Sequence, residues 1–287
     1  MTQMDSWRYY NHALIPNCAP HEVPNIDALK NESTWNSNGK ALLARWTTDY
    51  DCGYETSWWY VVKDCAFDIS ALKAKRRYEI NKGLNNFSVC RISPIDYAEQ
   101  LYAVTVEAYS AWPEKYRPQV DHDRFIENLP TWSSFTVYGA FSKIDGSLCG
   151  YALLKDCGSY LDFSVLRTIP ASERLGVNAA IVASILEGES AFLEQGRYIC
   201  DGTRSMRHET AFQDYLEKYF GFRKAYCTLN IRYRKGIGIV IKLLYPVRGV
   251  LKKFNSIGIV NSVLAILAME EINREQTAKN KNKDKNK

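Results

Sequence analysis

A glycine turn ahead of an apolar helix is the part of this sequence that most resembles a binding site. The stretch ERLGVNAAIVASILEG (residues 173–188) passes from charged residues through Gly176 into small apolar residues. The first turn of a helix leaves backbone N–H groups without intrahelical acceptors, and the helix dipole favours an anion there. The pattern raises the hypothesis that this turn holds a phosphorylated acyl donor.

A second candidate for anion binding is a basic stretch further upstream. The segment DISALKAKRRYEINKGL (residues 68–84) predicts a helix that carries Arg76, Arg77 and Lys82, with Glu79 as the only acid near them. Two interpretations stay open. The basic side chains can form an ordinary solvated face, or they can contact phosphates or an RNA backbone.

The charge of the chain is divided unevenly. The 287 residues carry a formal net charge of +5, yet residues 223–269 contain nine basic residues and no acidic one. The apolar run 256–269 within this stretch is too short to span a bilayer. For residues 235–271 two interpretations therefore stay open, namely helices packed on the domain, or an amphipathic anchor on an anionic membrane surface.

Composition and cysteine usage favour an ordinary cytoplasmic protein. Hydrophobic residues make up 46% of the chain and charged residues 24%, as in soluble globular domains. The N-terminus has neither the basic start nor the apolar core of a signal peptide. The eight cysteines form no C-x-x-C pair and none has a histidine at zinc-ligand spacing. We therefore expect reduced thiols and no metal site.

The elements that must position these residues follow from periodicity and turn signals. Short strands, including 41–49 and 55–64, precede the basic helix, for which Ser70 is the expected N-cap and Gly83 the expected C′ residue. After them the prediction is a strand, two helices, three strands, a helix, a strand, a helix and a strand. These lie at 87–93, 94–112, 121–132, 134–166, 173–194, 196–202, 208–220 and 224–234.

Chain connectivity then indicates the fold class. Strands joined by short turns pair antiparallel, whereas strands joined through a long helix are usually parallel. We expect an α/β (α+β) fold with one mixed sheet over residues 87–234, flanked by helices, in which 159–166 and 196–201 are adjacent and parallel. A small β-rich N-terminal region and a C-terminal amphipathic segment accompany it.

This order of elements, with a phosphate-type loop between the fourth strand and the third helix, resembles the GNAT superfamily of acyltransferases over residues 87–234. In that family the loop is [QR]-x-x-G-x-[GA], and its backbone amides bind the pyrophosphate of acyl-CoA. Gly176 fits the glycine, while Glu173 and Asn178 depart from the other two places. These departures imply weak CoA binding. The resemblance implies a donor-binding set of Arg174, Leu175, Gly176, Val177 and Asn178.

The helix predicted at 208–220 adds to the resemblance. The family motif N-x-x-A-x-x-x-Y matches His208, Ala211 and Tyr215, with His in place of Asn, and Gly221-Phe222 follows. In the family this Tyr often serves as general acid toward the leaving thiolate. Core packing is the alternative role for Tyr215, and a plain helix start is the alternative role for His208.

Acyl transfer needs a deprotonated acceptor, a stabilised oxyanion and a protonated leaving group. The resemblance implies that backbone N–H groups of the fourth strand stabilise the oxyanion. Asp162 on that strand, Glu107 on the first helix of the unit and His208 are the candidate bases, and Tyr215 is the candidate acid. An exposed or hydrogen-bonded strand residue is the alternative role for Asp162.

The basic helix followed by the GNAT-like unit also resembles the FemAB-type branch of this fold. Proteins of that branch have degenerate phosphate loops, and several use aminoacyl-tRNA to add amino acids to peptidoglycan precursors. Arg76, Arg77 and Lys82 match the basic helix in type and place, which implies contact with an anionic donor or polymer. FemAB-like proteins usually have two full GNAT units, and residues 1–64 are too short for the first.

The sequence thus predicts a cytoplasmic acyltransferase of GNAT fold and FemAB-like type at the inner face of the membrane. It would transfer an acyl or aminoacyl group to an amine or hydroxyl of a cell-envelope or polysaccharide precursor. Acyl-CoA or aminoacyl-tRNA would be the co-substrate, with no tightly bound cofactor. The alternatives are an acyl-CoA N-acetyltransferase with an eroded phosphate loop, and an inactive GNAT module that binds an anionic lipid or polymer.

Four segments are expected along the chain. An aromatic-rich β region with the basic helix covers 1–86, and the GNAT-like domain covers 87–234. An amphipathic apolar and basic segment covers 235–271, and a disordered basic tail covers 272–287. A membrane surface is the expected partner of the third segment.

Overall fold

The computed structural model describes residues 6–37, 41–114, 117–204, 211–254 and 257–285. The chain forms two compact units. The first, called here the central unit, consists of Val62–Gly202 and Phe212–Arg223. The second, called the terminal unit, consists of Met1–Val61, Thr203–Ala211 and Lys224–Lys287. These boundaries differ from the boundaries at residues 86, 234 and 271 that the sequence predicts.

Eleven strands lie in the described part of the chain. They are β1 (Trp7–Tyr10), β2 (Ala13–Pro16), β3 (Leu43–Thr48), β4 (Trp59–Lys63), β5 (Phe87–Arg91), β6 (Phe135–Ser142), β7 (Leu148–Asp156), β8 (Tyr160–Thr168), β9 (Tyr198–Thr203), β10 (Arg223–Tyr226) and β11 (Thr228–Tyr233).

Eleven α-helices lie in the same described ranges. They are α1 (Glu32–Ser37), α2 (Ala74–Asn86), α3 (Ala98–Ser110), α4 (His122–Asn128), α5 (Pro170–Glu173), α6 (Val177–Gly188), α7 (Ser190–Glu194), α8 (Ala211–Phe220), α9 (Ile237–Leu244), α10 (Arg248–Leu251) and α11 (Gly258–Lys285).

The larger sheet is the mixed sheet that the sequence predicts. Its seven strands have the order β10-β4-β9-β8-β7-β6-β5. Strands β5 to β8 follow one another antiparallel, as short turns require, whereas β9 is reached through α6 and pairs with β8 in parallel. The prediction that 159–166 and 196–201 are adjacent and parallel is confirmed.

Helices cover both faces of this sheet because neighbouring residues of β7 point in opposite directions. On one face Gly150 has no side chain, which leaves room for Ile181 of the apolar helix α6. Tyr151 lies on the other face in a cluster with Leu101 and Val104 of α3. Helix α6 is almost entirely buried, so its small residues allow close packing on the sheet.

The last predicted strand, 224–234, is in fact two strands that belong to different sheets. The break falls at Cys227, which is fully buried and donates its N–H to the carbonyl of Trp58 at 3.0 Å. Strand β11 pairs antiparallel with β3, in a four-stranded sheet of order β1-β2-β3-β11. The expectation of a single sheet over 87–234 is therefore wrong for β11. The alternating sequence pattern of β11 is compatible with a place in either sheet.

Two predicted helices have different ends. The basic helix starts at Ala74 rather than at Ser70, which lies in a 3-10 turn whose N-cap is Asp68. It continues to Asn86, so Gly83 lies inside the helix and is not its C′ residue. The long helix expected at 173–194 is divided into α5, α6 and α7.

The C-terminal helix α11 extends to Lys285, where the sequence predicts a disordered tail from residue 272. The reason lies in its first buried part. Ile272 belongs to the same core cluster as Leu229. The Gln276 side chain accepts a hydrogen bond from the Leu229 N–H at 2.9 Å and donates one to the Cys227 carbonyl at 3.4 Å. These contacts make the start of the predicted tail a part of the terminal unit.

Gly83 is required where α2 crosses the turn before α6. A Cβ atom at residue 83 would overlap the carbonyl oxygen of Gly176, which belongs to the backbone and cannot easily move aside. We expect Gly83→Ala to lower the free energy of unfolding by about 1–3 kcal/mol, despite the higher helix propensity of Ala. Gly249→Ala is the control, since no atom lies within 4 Å of its added Cβ. Thermal denaturation of the full chain measures both, and equal stability of the two variants would contradict the predicted overlap.

Candidate functional site

The parallel strands β8 and β9 separate at the centre of the sheet. Their ladder runs from Tyr160 and Tyr198 to Asp162 and Cys200, and it ends there although both strands continue. Beyond this point the backbone groups that face each other across the split are no longer used by the ladder. Splayed parallel strands of this kind are what the GNAT resemblance implies, so this part of the fold is GNAT-like.

A β-bulge lies immediately beside the split. On β7, Leu153 pairs with Val165 and Leu154 pairs with Phe163, so Ser164 of β8 has no partner there. A bulge leaves one residue out of the ladder and re-aims its backbone groups. The Ser164 hydroxyl donates a hydrogen bond to Oδ2 of Asp162 at 2.8 Å. This is the position at which backbone N–H groups could stabilise an oxyanion.

Asp201 is the first residue of β9 beyond the end of the ladder. It is largely buried, and Nε2 of the buried Gln213 on α8 donates a hydrogen bond to its Oδ2 at 3.1 Å. Burial, together with the charge of Asp162, raises the pKa of Asp201 to about 7. A carboxyl group with such a pKa can accept and release a proton at neutral pH.

Sequence reasoning missed Asp201, although one signal pointed to it. Ligand sites of open α/β sheets lie beyond the carboxyl ends of the parallel strands. Asp201 is the only acidic residue of the predicted strand 196–202, and it stands near the carboxyl end of that strand. The prediction instead placed the acidic group on Asp162, which the structure places across the split on β8.

Tyr215 lies on the same helix as Gln213 and is packed among aromatic rings. Its ring centroid is 6.2 Å from that of Phe212, 5.0 Å from Tyr219 and 5.5 Å from Phe220. Burial, followed by the charges of Tyr219 and Glu79, raises the pKa of the phenol. Within the described residues its hydroxyl has no hydrogen-bond partner. The ring has the predicted packing role, while the protonated hydroxyl is still able to act as an acid.

Of the other two candidate bases, Glu107 is not brought to this split. Glu107 is exposed on α3. The neighbouring Tyr109 accepts a hydrogen bond from Arg167 Nη2 at 2.9 Å, at the opposite end of β8 from Asp162. His208 lies outside the described residues. The catalytic roles of Asp162, Tyr215, Glu107 and His208 stay predictions.

The predicted donor turn precedes α6 as the sequence indicates. Gly176 has a φ of +92°, a conformation that suits glycine, and it stands at the N-cap of α6. Val177 is fully buried. Asn178 stands where the family loop has a second small residue. Its Oδ1 accepts a hydrogen bond from Thr168 Oγ1 at 2.9 Å. The Asn178 side chain thus fixes the end of β8 to the start of α6.

Helix α2 packs directly on this turn. Lys82 Nζ donates a hydrogen bond to the carbonyl of Arg174 at 2.7 Å, and Asn86 Nδ2 donates one to the carbonyl of Leu175 at 2.9 Å. Gly83 contacts Gly176 between these two bonds. The side of the turn that faces α2 is consequently packed against protein.

The three predicted basic residues of α2 have different roles. Lys82 holds the donor turn, and Arg77 Nη1 donates a hydrogen bond to the Ser70 carbonyl at 2.9 Å. Arg76 is half-buried, and its guanidinium group makes no hydrogen bond or ion pair with any described residue. Glu79, one turn further along, is close enough to Tyr215 to raise the pKa of its phenol. Helix α2 therefore connects the donor turn to α8.

No group of three His, Cys, Asp or Glu side chains is placed to hold a metal ion in the part of the chain that the structure describes. The eight cysteines are free thiols.

No protein-family model and no curated protein matches the chain. Among solved structures, it is similar to the C-terminal DUF2156 domain of a candidate lysylphosphatidylglycerol synthetase from Agrobacterium fabrum, with 11% identity over 82% of each chain and a TM-score of 0.49. The L-PGS of Bacillus licheniformis has 12% identity over 80% of each chain and a TM-score of 0.45. FemX has 8% identity, covering 76% of this chain and 78% of FemX, with a TM-score of 0.48.

The raised pKa of Asp201 predicts a pH-dependent stability. An unfolded chain ionises Asp near 3.8, whereas the folded protein holds the proton to about 7. The folded state therefore loses stability as the pH rises through this window, by up to about 4 kcal/mol. Asp201→Asn keeps an acceptor for Gln213 and should remove this loss, so that it is more stable than the wild type at pH 8 and similar at pH 4.

Chemical denaturation between pH 4 and pH 8 measures this difference. Asp214→Asn, which removes an exposed carboxylate from α8, is the matched control and should keep the wild-type profile. If Asp201→Asn also keeps it, Asp201 does not titrate in this window.

Proposed function

We propose that this protein is an aminoacyl or acyl transferase of GNAT fold and FemAB-like type. Its acceptor would be an amine or hydroxyl of a cell-envelope or polysaccharide precursor, at the cytoplasmic face of the membrane. The observation that carries the proposal is the split between β8 and β9, which is bordered by the Ser164 bulge, by Asp162 on β8 and by Asp201 on β9.

The proposed chemistry assigns one task to each of these groups. The acceptor nitrogen or oxygen attacks the acyl carbon and loses a proton to the Asp201 carboxylate. Backbone N–H groups at the Ser164 bulge stabilise the tetrahedral oxyanion. The bond from the acyl carbon to the leaving oxygen or sulfur then breaks, and the leaving group takes a proton from Tyr215. Burial keeps the phenol protonated and so available as the acid.

The donor turn and helix α2 favour aminoacyl-tRNA over acyl-CoA as donor. A CoA pyrophosphate needs open backbone N–H groups at the turn, whereas the N–H groups of Leu175 and Gly176 already donate to the carbonyls of Ser172 and Glu173. A tRNA donor instead needs cations that can follow its phosphates. Arg76 supplies such a cation. Its guanidinium group is unpaired within the described residues, and it lies about one helix turn before Glu79. An acyl-CoA N-acetyltransferase with an eroded loop is the second candidate.

An inactive binding module is the alternative outside the enzymes. Such a module has no need for a buried carboxyl group that titrates near neutral pH. Keeping Asp201 buried costs folding free energy once it ionises. This cost is understandable if the group moves a proton during catalysis, and it therefore supports the enzyme.

Donor choice is tested by thermal shift with the full chain. We expect an aminoacyl-adenosine, which imitates the 3′ end of aminoacyl-tRNA, to raise the Tm, and CoA or acetyl-CoA at micromolar concentration to leave it unchanged. Arg76→Gln should weaken binding of intact aminoacyl-tRNA more strongly at low salt than at high salt. A Tm shift with micromolar CoA alone would instead favour the N-acetyltransferase.

The role of Tyr215 is tested with Tyr215→Phe, with Tyr219→Phe on the same helix as matched control. If the Tyr215 hydroxyl is the general acid, its removal should lower kcat by about 10²-fold or more, while the donor-induced Tm shift persists. The readout is transfer of a labelled amino acid from aminoacyl-tRNA to an envelope-precursor fraction. Equal activity of the two variants would remove Tyr215 from the mechanism and leave it a packing residue.

A further inference from the structure

Residues 237–259 carry a set of large apolar side chains that the terminal unit leaves in solvent. Their exposed fractions range from 46% to 79%. They include Ile239 and Leu243, which share a face of α9. The full set is Ile239, Val240, Leu243, Val247, Val250, Phe254, Ile257 and Ile259. An exposed apolar surface of several adjacent side chains marks a site of interaction.

The next part of the chain behaves differently. From Ala265 onward α11 buries Leu267, Met269 and Ile272, and two of these belong to a core cluster with Leu43 of β3 and Leu229 of β11. The two interpretations of 235–271 therefore apply to different residues. Packing on the domain accounts for Ile241 and for the chain from about residue 265, and it does not account for the exposed apolar side chains within 237–259.

The exposed surface is held in place rather than loosely attached. Arg248 Nη2 forms an ion pair with Oε1 of Glu271 at 2.9 Å. The Tyr245 ring lies between two guanidinium groups, with Cζ of Arg248 at 4.1 Å and Cζ of Arg274 at 3.9 Å from its centroid. Helices α9 and α10 are thus fixed to the buried part of α11, and their apolar side chains are presented outward at no further ordering cost.

The charges among these side chains identify the chemistry of the partner. Lys235, Lys242, Lys252 and Lys253 are exposed, and no acidic residue occurs between 223 and 269. A second copy of the same surface would bring these cations together and would be repelled. A soluble polyanion would bind the lysines but would leave the apolar side chains in water. An anionic bilayer satisfies both, because headgroups bind lysines while the acyl boundary accepts apolar side chains.

We propose that residues 237–259 dock the protein on an anionic phospholipid bilayer, with Leu243 and Ile259 among the side chains that enter the acyl boundary. The attachment is peripheral. No helix in the described ranges is long and apolar enough to cross a membrane. The proposal goes beyond the transferase activity and does not depend on it.

Cosedimentation of the full chain with vesicles tests the docking surface. The vesicles contain phosphatidylcholine alone or mixed with phosphatidylglycerol. We expect binding to the mixed vesicles only, weakened by salt. Lys242→Gln combined with Lys252→Gln should weaken it about tenfold or more, since each basic residue contributes roughly a fivefold factor. Leu243→Ser combined with Ile259→Ser should remove the part of the binding that persists in high salt.

The matched control combines Val23→Ser and Ile144→Ser, two equally exposed apolar residues elsewhere in the sequence, and should bind like the wild type. Circular dichroism checks that all variants are folded. No binding to the mixed vesicles, or an equal loss in the control, would overturn the proposal. Binding of tRNA instead of vesicles, unaffected by Leu243→Ser, would also overturn it. A dimer in sedimentation velocity that Leu243→Ser dissociates would do the same.

Discussion

The contact between Gly83 and Gly176 constrains the whole candidate site. Two backbones meet there without a side chain between them, so α2 can approach the turn that starts α6. The hydrogen bonds from Lys82 and Asn86 then hold the turn, and Arg76 and Glu79 are placed on the same helix between the turn and α8. The turn that starts α6 is thereby packed against protein on the side that faces α2.

The sheet adds a second constraint, because β8 has to satisfy two neighbours with different geometry. Toward β7 it needs the bulge at Ser164, and toward β9 it leaves the ladder after Asp162. Both irregularities fall within three residues. Beyond them the ladder no longer uses the backbone groups that face the split, and Asp162 and Asp201 lie beside it. Burial of the Asp201 carboxyl group lowers the stability of the folded state once the group ionises. The hydrogen bond from Gln213 offsets this cost only in part.

The terminal unit shows how one helix can have two environments. Gln276 and Ile272 anchor α11 to β11, while Ile257 and Ile259 ahead of its buried part are left in solvent together with apolar side chains of α9 and α10. The ion pair of Arg248 with Glu271 joins the two parts. An apolar and basic surface that is rigidly attached to a small folded unit differs from a flexible tail. In the proposed docking such a surface would not need to become ordered first, which lowers the cost of association.

The sequence by itself determined the order of elements, the parallel pairing of β8 with β9 and the turn at Gly176, because these follow from local periodicity, turn residues and the handedness of strand connections. It did not determine that Gly83 lies inside a helix, that residues 224–234 divide between two sheets, or that Asp201 is the acid with the raised pKa. Each of these depends on contacts distant in sequence, with Gly176, with β3 and with Gln213 respectively. Only tertiary structure brings such partners together, and burial then decides which carboxyl group can move a proton near neutral pH.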